Sequence, residues 1–365
     1  MAAFTGTLNP NEIYAALSNM IISQTVFSDN IADTKETLAN MSRVDGSLYG
    51  DTKLYYATDV LKSIPWGNDA EAENLLQLHR PDAPDVQAIT IDQFRMIPLT
   101  VDNYLTKRAF STEGAFGAFN SQMLSWMRDT KRVYDSTLFN TFVGTNATNI
   151  GKQAKTISLP AEPDSADDYN TEAYNRIKAQ TIATEMADLI VDLEDVSRDY
   201  NNYGNLRSYN ANDLVFVWNS EWVNEITKLD TPTIFNREGL VDKIGEHTLP
   251  ARYFGNVNAS GGTTPGTNIS VRSLIETDYG SKHVFPGDLL PGNTAYKANE
   301  TYTVDGSIIC KIYHKNSIPF MTAFETGTEF FNPRSLTETH YLIWGYNKLQ
   351  SLDNYPFITV KGTQA

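Results

Sequence analysis

Between Glu113 and Phe142, apolar residues fall at Phe116, Phe119, Met123, Trp126, Met127, Val133, Tyr134, Leu138 and Phe142, nearly all on three- and four-residue steps. That rhythm predicts one long amphipathic helix with a single buried stripe. Ser111 or Thr112 can cap it, Glu113 suits the positive end of its dipole, and Gly144 is placed to end it. At the standard rise per residue it spans roughly 45 Å. A helix of that length in a chain of 365 residues predicts a flat, elongated subunit organised along a spine.

Composition narrows the classes. Lys and Arg total 29 against 44 Asp and Glu, a formal net charge of −15, which repels phosphate backbones unless the cations gather in one patch. Simple nucleic-acid binding is disfavoured. Cys310 is the single cysteine, so packing rather than an intramolecular disulfide must hold the fold. The residues MAAFTGTLNPNEIY carry no basic residue, the first being Lys35, so no export signal is expected. The longest uncharged stretches are too short and too polar to span a bilayer, and no membrane association is expected.

Residues 11–41 carry an interrupted helical rhythm without the mass for a core, and read as an arm lying on another surface. Residues 51–99 alternate short apolar runs with turn chemistry (PWGND, HRPDAPD) and predict a long two-stranded excursion. The alternation in residues 86–97 is imperfect, which predicts an exposed ribbon rather than a strand buried on one face. Arg176 to Val196 reads as a helix burying Ile182, Met186, Leu189, Ile190, Leu193 and Val196. LVFVW, residues 214–218, is apolar on both faces and predicts a central strand, followed by a helix opened by Asn219. Strands are expected again at residues 307–313, 318–324, 339–346 and 357–361.

No catalytic signature accompanies these elements. His79, His247, His283, His314 and His340 are far apart, none within three to five residues of another or of Cys310, so no zinc or nucleophile motif is present and lone structural roles are expected. Phosphate-loop, dinucleotide and hydrolase motifs are missing too. Glu185, Asp188, Asp192, Asp195 and Asp199 form an acidic stripe opposite the apolar face of their helix. It reads either as a solvated face, the commoner fate, or as a surface for a divalent cation or a basic partner. Arg128, Lys131 and Arg132 make one basic turn on the polar side of the long helix, either solvated or paired with acids of a neighbouring subunit. Tyr55, Tyr56, Trp66 and Phe94, with Leu75, Leu76 and Leu78, lie in an excursion too thin to bury them, and predict an intersubunit contact, the alternative being a compact α+β domain onto which the ribbon folds back.

The order of elements resembles the major capsid proteins of tailed bacteriophages, of the Hong Kong 97 type. The resemblance is carried by a helical arm, an extended loop (KLYYATDVLKSIPW through DAPDVQAITIDQF) and the long helix (GAFGAFNSQMLSWMRDTKRVYDSTLFNTFVG). An α/β region (DLVFVWNSEWVNEITKL) and returning strands around SIICKIYHKNSIPFMTAFETG complete it. It implies an α+β, Hong Kong 97-like capsid fold: an arm at residues 1–43, an extended loop with flanking strands at 44–100, a peripheral domain with the spine helix at 101–172 and 310–365, and an axial domain at 173–309. It further implies a structural, non-enzymatic head shell without cofactors, assembled in the host bacterial cytoplasm from hexamers and pentamers into an icosahedral or prolate virion around double-stranded DNA that is not read by sequence. Portal, decoration and separate scaffolding proteins are the implied partners, the last because no long charged assembly segment precedes the arm. Lys53 and Lys62 lie in the loop, but no motif marks them as crosslinkers. A cellular nanocompartment shell of the same fold and a surface carbohydrate-binding module are the alternatives.

Overall fold

A computed structural model describes residues 38–45, 52–63, 78, 80–102, 113–147, 151–161, 168–227, 247–259 and 300–364. In chain order the elements are α1 (Leu38–Met41), β1 (Arg43–Asp45), β2 (Thr52–Ala57), β3 (Asp85–Asp102), α2 (Glu113–Thr145), β4 (Ala154–Leu159), α3 (Asp168–Glu194), β5 (Leu214–Asn219), α4 (Ser220–Thr227), β6 (His247–Leu249), β7 (Gly255–Ala259), β8 (Glu300–Val304), β9 (Ile308–His314), β10 (Phe320–Asn332), β11 (Thr337–Asn347) and β12 (Phe357–Gln364). Apart from one early arm residue group at α1, the predicted N-terminal arm lies outside the described residues. No described helix is long and apolar enough to cross a membrane.

The chain divides into two units. The first comprises Met1–Asp51, Thr90–Ser136 and Met321–Lys348; the second comprises Thr52–Ile89, Thr137–Phe320 and Leu349–Ala365. A five-stranded sheet runs in the order β1-β10-β11-β3-β2. In the first unit β11 pairs antiparallel with both β10 and β3, placing Leu99 and Glu329 on either side of His340.

β3 departs from the ribbon expected of residues 86–97. Its burial alternates along the whole strand, with odd positions turned in: Ile89, Ile91 and Val101 are buried while Val86, Phe94 and Met96 are exposed. Sequence alternation looked imperfect because Gln87, Gln93 and Arg95 occupy inward positions while Val86, Phe94 and Met96 occupy outward ones. Pairing with β11 overrides that pattern, as context commonly overrides strand propensity. One outward aromatic has an internal use. Phe94 lies opposite Gly345, and its ring comes so near that a Cβ on Gly345 would meet it at 2.8 Å.

The second unit is built on a mixed sheet in the order β4-β12-β9-β5-β6. β12 runs parallel to β4 and antiparallel to β9, and β5 runs antiparallel to β9 and parallel to β6. All six residues of β5 and all seven of β9 are buried, as strands flanked on both sides and covered on both faces must be. Ile182, Met186, Leu189 and Leu193 of α3 pack with Phe216, Trp218, Ile309, Ile312, Ile358 and Val360 in one apolar cluster. β9 stands between β12 and β5 in this sheet. Apolar alternation tells that a strand is buried, not which sheet it joins.

α2 has 33 residues and ends at Thr145, one past the glycine expected to stop it. Gly144 serves close approach instead. A Cβ there would lie 2.0 Å from the Tyr253 carbonyl oxygen, so only glycine lets that backbone reach the helix.

Candidate functional site

The excursion between β2 and β3 is rooted by polar contacts within the second unit. Asp59 Oδ1 accepts the Leu206 and Val60 backbone N–H groups at 2.9 and 2.8 Å, and its Oδ2 accepts Arg198 Nη1 at 2.6 Å. These contacts, the Leu206 N–H foremost and then Arg198, hold the Asp59 carboxyl down at about 2. Arg207 donates to the Thr58 carbonyl and to Asn354 Oδ1. The returning leg is held likewise: Asn205 donates to Asp85 at 3.1 Å, and Gln87 donates to the Ser351 carbonyl at 3.0 Å while accepting the Asp353 N–H at 2.8 Å.

Around and beyond this root, apolar side chains stand in solvent. Tyr56, Val60, Leu61 and Leu78 are 64%, 58%, 75% and 79% exposed, and Tyr55 is half-buried, its phenol raised by burial and by Tyr355. Trp66, Leu75 and Leu76 lie outside the described residues. A chain segment clamped at both feet while presenting large apolar residues is suited to contact another molecule.

Along α2, Met127, Leu138, Phe139 and Val143 are buried, and Trp126 and Val133 are half-buried. The side chains of Phe116, Phe119 and Met123 are outside the description. The predicted basic turn divides: Arg128 and Arg132 are exposed, but Lys131 is buried. Its ammonium lies 3.0 Å from Asp135 Oδ2 and 3.3 Å from Glu325, and Arg43 reaches the same Asp135 oxygen at 3.2 Å. Burial pushes the Asp135 carboxyl up, against the pull of Lys131 and Arg43. Next to them Arg95 lies over the Tyr134 ring at 4.2 Å, and the Tyr134 and Tyr346 hydroxyls are 2.6 Å apart. Helical spacing put Lys131 on the polar side; Glu325 of β10 reaches that side, and Lys131 and Asp135 form the buried centre of an ion network whose outer members are Arg43 and Glu325.

The acidic stripe is partly neutralised within the chain. Glu185 pairs with Lys155 at 2.6 Å and Asp199 with Lys152 at 3.1 Å. Asp192 accepts the Tyr200 hydroxyl at 3.4 Å, Asp195 accepts the Val196 N–H at 2.8 Å, and Asp188 is exposed. Among the described residues no three ligand atoms converge on the stripe.

A buried cation supplies a pH test of the second unit. Lys311, 1% exposed on β9, donates to the Asn146 carbonyl and Thr359 Oγ1, both at 2.8 Å. Burial, followed by Lys361, brings its amine down to about 7. The unfolded chain keeps the ordinary lysine value near ~10.4, so between about pH 7 and 10 it binds more protons than the folded one, and stability rises with pH. Relative to Lys311→Met, which lacks this group, the wild type is expected to gain up to about 1.4 kcal/mol per pH unit across that window. Urea midpoints of both proteins at pH 7.5, 8.5 and 9.5 check this; parallel profiles refute it.

Solved structures similar to this chain include the capsid of Staphylococcus phage Andhra, with a TM-score of 0.61, 12% identity, and coverage of 100% of this chain and 88% of that one. A chain in the structure of the head fiber and inner core protein gp22 of native bacteriophage P68 matches with a TM-score of 0.59, 13% identity, and coverage of 99% and 90%. No curated protein matches by sequence. A model of the Phi29-like phage major capsid protein family matches residues 5–353, and the chain belongs to that family. It is a phage head shell protein, located in the virion capsid, where it assembles with other phage proteins.

The root of the excursion was not legible in sequence. Asp59 and Leu206 are 147 residues apart, and Asp85 and Asn205 are 120 apart, and no local pattern marks an aspartate for so distant a partner.

Proposed function

We propose that the chain is a Hong Kong 97-like shell subunit that closes into hexamers and pentamers around double-stranded DNA. The observation that carries this reading is the family match over residues 5–353; the exposed apolar residues of a doubly rooted excursion support it. In this reading residues 1–43 are the assembly arm, residues 44–100 carry the extended loop that reaches a neighbouring subunit, residues 101–172 and 310–365 form the peripheral domain with α2 as its spine, and residues 173–309 form the axial domain. Tyr55, Tyr56, Trp66, Leu75, Leu76 and Leu78 supply the intersubunit contact. The net charge of −15 suits a lining that encloses DNA without trapping it, because like charge weakens nonspecific adhesion. A separate scaffolding protein, a portal and decoration proteins are the partners, and assembly takes place in the host bacterial cytoplasm.

Negative-stain images and light scattering of the protein, expressed alone and with the scaffold gene of its own phage, test the reading. Rings of five and six subunits or closed particles are expected. A monodisperse monomer under every assembly condition overturns it.

A further inference from the structure

The distal part of the β10–β11 pair gathers three metal-ligand side chains that no sequence motif announces. Glu338 and His340 are two residues apart on β11, and the period of a strand puts both on one face. The register sets Glu329 of β10 directly opposite His340. One ligand atom from each of the three lies within 4.8 Å of the others, and His340 Nε2 is 3.7 Å from Glu338 Oε1. The side chains of His340 and Glu338 are 20% and 27% exposed, and Glu329 is exposed. Leu99 lies opposite His340 and Val101 opposite Glu338 on β3, so the group has apolar neighbours on that side.

We propose that Glu329, Glu338 and His340 bind a divalent cation of borderline softness, such as Zn²⁺, which ties β10 to β11. The donor set is one imidazole nitrogen and two carboxylates, the ligand types zinc accepts at about 2.0–2.2 Å. Tetrahedral ligands at that radius stand roughly 3.3 Å apart, so atoms within 4.8 Å of one another need to draw in by up to about 1.5 Å, which rotation of the glutamate side chains can supply. Glu329 and Glu338 sit diagonally across the strand pair, because Glu338 faces Phe331 and Glu329 faces His340, and diagonal neighbours are within reach of long side chains. Three protein ligands leave the remaining coordination position to water. The proposal is independent of shell assembly, since all three residues belong to one chain and one strand pair.

The test uses the full-length protein, stripped with chelator and dialysed. Titration with Zn²⁺ alone, followed by calorimetry and elemental analysis, is expected to give one ion per chain. His340→Ala and Glu329→Gln should each weaken binding on the order of tenfold or more, while His247→Ala, on β6 of the other sheet, leaves it unchanged. Circular dichroism and melting in chelator establish that each variant is folded. A Co²⁺ spectrum of the wild type, altered in His340→Ala, gives a second readout that does not depend on stability. The proposal is overturned by an absence of saturable Zn²⁺ binding, by equal binding in the folded His340→Ala and Glu329→Gln variants, or by Mg²⁺ binding as tightly as Zn²⁺.

Discussion

Replacing residues 61–82 with a short Gly/Ser linker is expected to leave a folded, cooperatively melting subunit that no longer forms closed shells. The cut falls beyond Val60, so the Asp59 contacts to Leu206 and Arg198 and the Asp85 contact to Asn205 are retained. Within the excised stretch Leu61 and Leu78 are 75% and 79% exposed, and removing exposed residues takes little from the core. Closing a shorter loop changes the chain entropy only slightly. Between subunits the balance is different. Each large apolar side chain buried against a neighbour contributes roughly 1.5–3 kcal/mol before ordering costs, and every subunit of a shell would lose the same set. Circular dichroism, thermal melts and electron microscopy on one preparation make the measurement. An unfolded monomer would place the excursion in the core; normal particles would show that it is not the clasp between subunits.

Phe216→Ala should cost about 3–5 kcal/mol of subunit stability, the range for truncating a fully buried phenylalanine and leaving a cavity. Phe216 is 0% exposed and stands on β5, whose neighbours β9 and β6 fix it from both sides while α3 contributes to the same cluster. Urea denaturation of the soluble subunit reads the loss as a shifted midpoint at constant slope. A change below about 1 kcal/mol would show that Phe216 does not anchor the apolar cluster on this sheet. Trp126→Ala is the internal comparison. Periodicity alone counts Trp126 in the buried stripe, but it is half-buried, and its substitution should cost clearly less.

How much the sequence discloses depends on the range of the interaction. α2, β5, β11 and β12 are legible because their own residues repeat at the period of the element, and a helix stripe or an all-apolar run needs no knowledge of its neighbours. β3 is misread because its inward face carries Gln87, Gln93 and Arg95; the Arg95 guanidinium lies over the Tyr134 ring, which suits a cation facing inward there. Lys131 is misread for the same reason, its polar side being covered by Glu325 from a strand nearly two hundred residues later. The candidate cation site escapes a search for histidines and cysteines at helical or loop spacing. Its signal is a Glu-x-His pair on a strand, which becomes meaningful only once the register brings Glu329 opposite.

The pairing of early with late segments also governs when this chain can fold. Thr100 meets Thr339 across a separation of 239 residues, and Gln87 meets Asp353 across 266. In the second sheet β12 is an interior strand, lying between β4 and β9. Neither sheet can therefore close while the ribosome is still making its earlier strands: β3 waits for β11, and β4 waits for β12. Non-local pairing of this kind makes folding slow, and the waiting strands expose unpaired edges. The yield of assembly-competent subunits is then set by a race after synthesis between sheet closure and aggregation, in which chaperone supply and growth temperature matter as much as the stability of the finished fold.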